Sequence, residues 1–165
     1  MLKIRQSVIN LHAVGLSHLF EQQIYRLTSI LEFGRRDRAD FKKDKNLLKT
    51  NGKIDIENLM GWQAIKELKL LCNAVKHAEG CSTTELRTLN PTLFEPPPDI
   101  DEHIQELRTD INNLIGSGSQ NYLPEPIKNP LAGEDIYVKE EDIKKYADAI
   151  KEFWNDFIRW LLETP

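Results

Sequence analysis

The distribution of proline constrains this chain more than any other feature. All eight prolines lie at or after Pro91, seven of them between Pro91 and Pro130, and the first ninety residues contain none. Proline removes a backbone donor and breaks helix interiors, so a proline-free stretch with a helical apolar period can carry long helices that the later region cannot. In the first segment Ile9, Ala13, Leu16, Phe20, Ile24, Leu27 and Leu31 step by three or four and trace one apolar stripe, with Gly34 as its expected terminus. A second long helix is expected from Asp55 to Glu79, where Gly61, Ile65, Leu68, Cys72 and Val75 keep the same spacing and Gly80 closes it as a left-handed cap.

Between these two lies the most basic stretch of the chain. From Arg35 to Lys49, Arg35, Arg36, Arg38, Lys42, Lys43, Lys45 and Lys49 outnumber Asp37, Asp40 and Asp44, and Asn51-Gly52 marks a turn. After Gly80, the serine-to-glutamate spacing of Ser82-Thr83-Thr84-Glu85 predicts a capping box and a short helix ending before Pro91. Pro96-Pro97-Pro98 calls for extended backbone. Asp99 caps an expected third helix with Ile100, Ile104, Leu107, Ile111 and Leu114 on its buried side, and Gly116 to Ser119 ends it. Gln120 to Glu134 reads as a surface loop, and Ile136-Tyr137-Val138 as a short strand. In the last helix Tyr146, Ile150, Phe153, Phe157 and Trp160 share a stripe that Trp154, Ile158 and Leu161 widen, which predicts burial over much of its circumference. The expected fold is one all-α domain over 1–165, a bundle of roughly four principal helices with a proline-rich loop region and room for a short strand pair.

Composition narrows the function classes. With 165 residues, 40% hydrophobic and 29% charged, the chain suits one globular domain that needs neither disulfides nor a structural metal. No run approaches the roughly 18 apolar residues of a membrane span, and Met1 to Phe20 reads as helix because Asn10, His12 and His18 interrupt it. Cys72 and Cys81 suit free thiols of a reducing cytoplasm. A net charge of -4 excludes a protein that coats nucleic acid by bulk charge and leaves only a local basic patch. There is no phosphate-binding glycine loop, nucleophile elbow or dinucleotide fingerprint, so no cofactor is expected. Cys72, His77, Cys81 and His103 supply metal-ligand atoms without metal-ligand spacing, so no metal is expected either.

The segment that carries chemistry is Cys72-Asn73-Ala74-Val75-Lys76-His77. With Cys72 on the buried stripe, Asn73 and His77, four residues apart, stack off that stripe and become accessible together. A histidine there serves as general acid or base near neutral pH, with the asparagine orienting it or a substrate phosphate. The purely structural alternative has Lys76 and His77 complementing the negative end of the helix dipole, the basic run forming a solvated face with its own Asp partners, and Trp154, Phe157 and Trp160 serving as core.

This segment resembles the Arg-polar-x-x-x-His signature of HEPN domains, all-helical domains common in prokaryotic defence and toxin-antitoxin systems. Asn73 and His77 match the polar residue and the histidine, and Cys72 stands where the family has its arginine. The resemblance implies a bundle that dimerises and builds a metal-independent ribonuclease site where the signature helices of two subunits meet. In that reading His77 is the acid or base, Asn73 positions it, and Arg35, Arg36, Arg38, Lys42, Lys43 and Lys76 guide the RNA backbone. The expected partners are a second copy, RNA, and an antitoxin or other antiviral defence protein, with no membrane. Lys66, roughly 16 Å along the helix from His77, is too far to replace the arginine. The alternative is a catalytically inactive helical module for protein-protein contact or dimerisation, since a buried thiol cannot supply the planar cation that binds phosphate.

Overall fold

A computed structural model of the chain describes residues 2–31, 40–77, 80–98, 109 and 136–163. These form an all-α bundle. Helix α1 (Leu2–Ile30) buries Ala13, Phe20 and Ile24 and half-buries Ile9, Leu16, Leu27 and Leu31, the stripe its sequence predicts. Gly34 lies outside the described residues, as do Arg35, Arg36 and Arg38.

The rest of the basic run folds as α2 (Phe41–Thr50). The Asp40 carboxylate caps it by accepting from the Lys43 N–H at 3.2 Å, and the buried Asp44 carboxylate accepts from the Thr28 hydroxyl at 2.7 Å. Asn51 and Gly52 close the helix by donating to the Leu47 carbonyl at 2.9 and 3.2 Å, the turn expected there.

Asp55 does not begin the second long helix. It caps a 3-10 turn, Ile56–Asn58, and α3 (Trp62–His77) starts only after Gly61. Gly61 sits at φ +75, and a Cβ on it would meet the Ala149 carbonyl oxygen at 2.2 Å. Its place on the apolar stripe therefore reflects a close approach of two backbones and not a helical turn. Once begun, α3 buries Trp62, Ile65, Leu68, Leu71, Cys72 and Ala74 and packs against all of α1, α4 (Cys81–Leu89) and α5 (Glu140–Glu163).

Gly80 is the N-cap of α4, in extended backbone at φ 164, and not a left-handed cap on the preceding helix. The expected capping box does not form: the helix begins one residue before Ser82, and Glu85 instead pairs with Lys66 at 2.7 Å. Asn90 ends α4 before Pro91, which opens a 3-10 turn, Pro91–Phe94. The expected third helix at Ile100 to Leu114 and the loop at Gln120 to Glu134 lie outside the described residues apart from the single residue Thr109.

Ile136 and Val138 are buried and Tyr137 is half-buried, the alternation of a strand, but no strand forms among the described residues. The partners are side-chain amides of a helix. Asn10 donates to the Ile136 carbonyl at 2.8 Å and accepts from the Val138 N–H at 3.4 Å, while Gln6 donates to the Val138 carbonyl at 2.9 Å. The Tyr137 N–H reaches the Leu93 carbonyl at 2.7 Å.

The first turn of α5 carries Glu140, Glu141 and Asp142, and the Asp142 carboxylate accepts from the Lys139 N–H at 2.9 Å. Tyr146, Ala149, Phe153 and Phe157 are buried, whereas Ile158 and Leu161 are exposed, so this helix buries one face and not most of its circumference. Two apolar clusters fill the bundle. One gathers Leu68, Leu71, Leu86, Leu93 and Tyr146; the other is aromatic, with Phe20 edge-on to Phe153 at 5.1 Å and Trp154 edge-on to Phe153 at 5.3 Å. No helix among the described residues is long and apolar enough to cross a membrane.

Candidate functional site

Helix α3 delivers Asn73, Lys76 and His77 to the surface in its last turns, while Cys72 faces the core at 5% exposure. Asn73 and His77 lie one turn apart on one face, and among the described residues neither side chain has a hydrogen-bonding partner. This pair is free to meet a ligand. It also completes the last helical turn, where Lys76 and His77 complement the exposed carbonyls.

The cations are arranged less favourably. Lys69 lies on the same face, one turn before Asn73 and about 12 Å along the axis from His77, and the sequence reading passed over it. Its ammonium is bound by Glu21 and sits 3.7 Å from the centre of the Phe41 ring, so it is held in place and neutralised. Lys66 is paired with Glu85. Lys42 and Lys43 are exposed on α2, where Lys43 lies 3.4 Å from Asp40, and no contact joins either to Asn73 or His77. The structure thus brings Asn73, Lys76 and His77 together and leaves Lys42 and Lys43 on another helix.

The strongest polar constellation is one that spacing did not point to. The buried Glu67 carboxylate accepts from the Lys145 ammonium at 2.8 Å on each oxygen, from the Tyr146 hydroxyl at 2.7 Å and from the Asn90 amide at 2.8 Å. Burial alone raises the Glu67 carboxyl, but the donors from Lys145, Asn90 and Tyr146 outweigh it and hold the group below the usual carboxylate range. Tyr146 is pushed well above the usual phenol range, first by burial and then by its bond to the Glu67 carboxylate. A satisfied hub of this kind ties α3 and α5 to the α4 terminus. The signal that could have found it is an acid on the inner face of α3, flanked by Leu68 and one turn from Leu71.

Lys145 also borders a shallow cleft of about 650 Å³ between the 3-10 turn at Ile56 and α5, whose polar lining includes Glu57, Gln63, Asp148 and Glu152. Its acids and the prior engagement of Lys145 make it unsuited to phosphate. Among the described residues no group of His, Cys, Asp or Glu is arranged to hold a metal ion; Cys72 is buried, Cys81 is exposed, and His103 lies outside those residues. Compared with protein-family models, with curated proteins and with solved structures, the chain matches none.

Proposed function

We propose that the chain is a HEPN-like helical domain of prokaryotic defence or toxin-antitoxin type that works by protein-protein contact and does not cleave RNA. The observation that carries this reading is the uncovered apolar face of α1, where Val8, Leu11 and Leu19 stand in solvent along one side of the longest helix. The inward orientation of Cys72 supports it, because the position at which the signature places its phosphate-binding cation belongs to the core. The test is incubation of a mixed RNA pool with the purified protein in the absence of metal, beside a folded His77→Ala variant. Both are expected to leave the RNA intact.

A second reading is favoured by the exposed, unpartnered pair Asn73 and His77. There the domain contacts RNA, His77 acts as acid or base, and Lys76 or a cation from the basic run stands in for the arginine. Cleavage that disappears in His77→Ala would establish this second reading and overturn the first.

A further inference from the structure

The exposed face of α1 has an internal symmetry. Leu11-His12-Ala13-Val14-Gly15-Leu16-Ser17-His18-Leu19 reads as like for like in both directions from Gly15: Leu11 with Leu19, His12 with His18, Ala13 with Ser17, Val14 with Leu16. Of these, Leu11, His12, Gly15, His18 and Leu19 are exposed, with Leu11 at 62% and Leu19 at 55%. At 100° per residue they occupy one arc of about 120° centred on Gly15, with the two leucines flanking the glycine and the two histidines at the edges. Nothing lies within 4 Å of where a Gly15 Cβ would be, so the centre of the arc is open.

We infer that this face binds a second copy of the chain, α1 against α1 in antiparallel sense, about a twofold axis beside Gly15. A twofold interface must be complementary to itself, and an antiparallel helix pair sets residue 15+k of one copy level with residue 15−k of the other. On this face that rule places leucine level with leucine, about 6 Å to either side of the crossing, and a residue without a side chain at the crossing itself, where two backbones come nearest. A groove of about 590 Å³ runs along α1 from Val8 past Gly15 to Leu19 and is walled on the other side by Ile143 and Ala147 of α5, so its Val8 and His12 end lies level with Leu11. It receives Leu19 of the second copy, and the twofold axis repeats the insertion on the other side.

Charge agrees with the same occupant. The exposed residues from Leu11 to Leu19 include no aspartate, glutamate, lysine or arginine, so no fixed charge there opposes a second copy. Farther along α1, Arg5 is turned to Glu140 at 3.1 Å and Glu21 to Lys69, while the exposed Arg26 lies on the same side of the helix about three turns beyond Gly15, outside the symmetric span. The likeness ends one step out, where Val8 would stand level with Gln22, so the symmetric span from Leu11 to Leu19 covers about two and a half helical turns.

This inference rests on the protein-contact reading above and commits it to one partner. Light scattering across a dilution series of the full chain is expected to give twice the chain mass of 19.1 kDa. Leu11→Arg and Leu19→Arg, both at solvent-exposed positions, are each expected to return the mass to one chain with unchanged helical circular dichroism. Each substitution acts twice in a twofold interface and weakens association on the order of a hundredfold. As an independent reading, Gly15→Cys in a Cys81→Ser background is expected to form an intermolecular disulfide under mild oxidation, because a residue beside the axis faces its own copy. A wild-type chain that stays monomeric, a dimer that survives both arginines, or a Gly15→Cys variant that stays reduced would each overturn the inference. The surviving dimer would leave protein contact as the function and move it elsewhere, whereas His77-dependent RNA cleavage would overturn that function without touching the α1 interface.

Discussion

The Tyr146 hydroxyl donates to Glu67 Oε1 at 2.7 Å, joining α5 to α3 inside the bundle. Tyr146→Phe keeps the ring in the apolar cluster and removes the donor, while Lys145 and Asn90 still satisfy the carboxylate. The expected loss is about 1–2 kcal/mol, less than for removing a partner from an otherwise unpaired group. A urea titration of the two proteins measures it; a loss above about 3 kcal/mol would mean the ring itself had been displaced.

Glu67 also sets an acid limit on stability. Its carboxyl is held below the usual carboxylate range in the folded chain, so the ionised form is favoured by folding. The sign follows: this contribution is fully present above the pKa of the unfolded chain and is lost as pH falls through the lower, folded pKa. Tyr146, raised in the folded chain, acts in the opposite sense, its contribution present below the ordinary phenol pKa and lost as pH rises beyond it. Unfolding free energy measured against pH should fall at the acid end in wild type and fall less steeply in Glu67→Gln. Parallel acid limbs in the two proteins would remove Glu67 from this role.

Much of this arrangement can be read from spacing, and the failures have physical causes. The stripe from Ile9 to Leu31 on α1 and the inward turn of Cys72 beside outward Asn73 and His77 follow from 100° per residue. The start of α3 does not, because Gly61 fits the apolar period while its conformation is dictated by Ala149, some ninety residues away. The segment Ile136 to Val138 has strand alternation, but its partner is Asn10, which local pattern counts only as a polar interruption of α1. Ile158 and Leu161 extend the apolar arc of α5 beyond what its neighbours cover. The inward position of Glu67 is legible from the α3 period, but its partners Lys145, Tyr146 and Asn90, like the Glu21 that binds Lys69, come from other elements that spacing along α3 does not reveal.

Gly61 gives a sharp test of the α3–α5 approach. Gly61→Ala adds a methyl group 2.2 Å from the Ala149 carbonyl oxygen and places a non-glycine residue at φ +75. The left-handed conformation alone costs about 1–2 kcal/mol, and the clash adds to it by pushing the start of α3 off α5. Thermal unfolding should drop well below that of wild type. An unchanged midpoint would mean that the two backbones are farther apart than described.

Asn10 permits a local test. Its amide holds the Ile136 carbonyl at 2.8 Å and the Val138 N–H at 3.4 Å, both in the buried interior, where among the described residues no neighbouring strand takes its place. Asn10→Leu puts an apolar group of similar volume against two backbone groups that are then unpaired. Each such group costs about 1–3 kcal/mol when left buried, so the segment is expected to detach before the bundle unfolds. Amide exchange should therefore quicken at Val138, and at Tyr137, which depends on the same docking for its bond to Leu93, while the inner amides of α3 stay protected. Uniform loss of protection across α3 and the Ile136 segment would instead make Asn10 a support of the whole bundle.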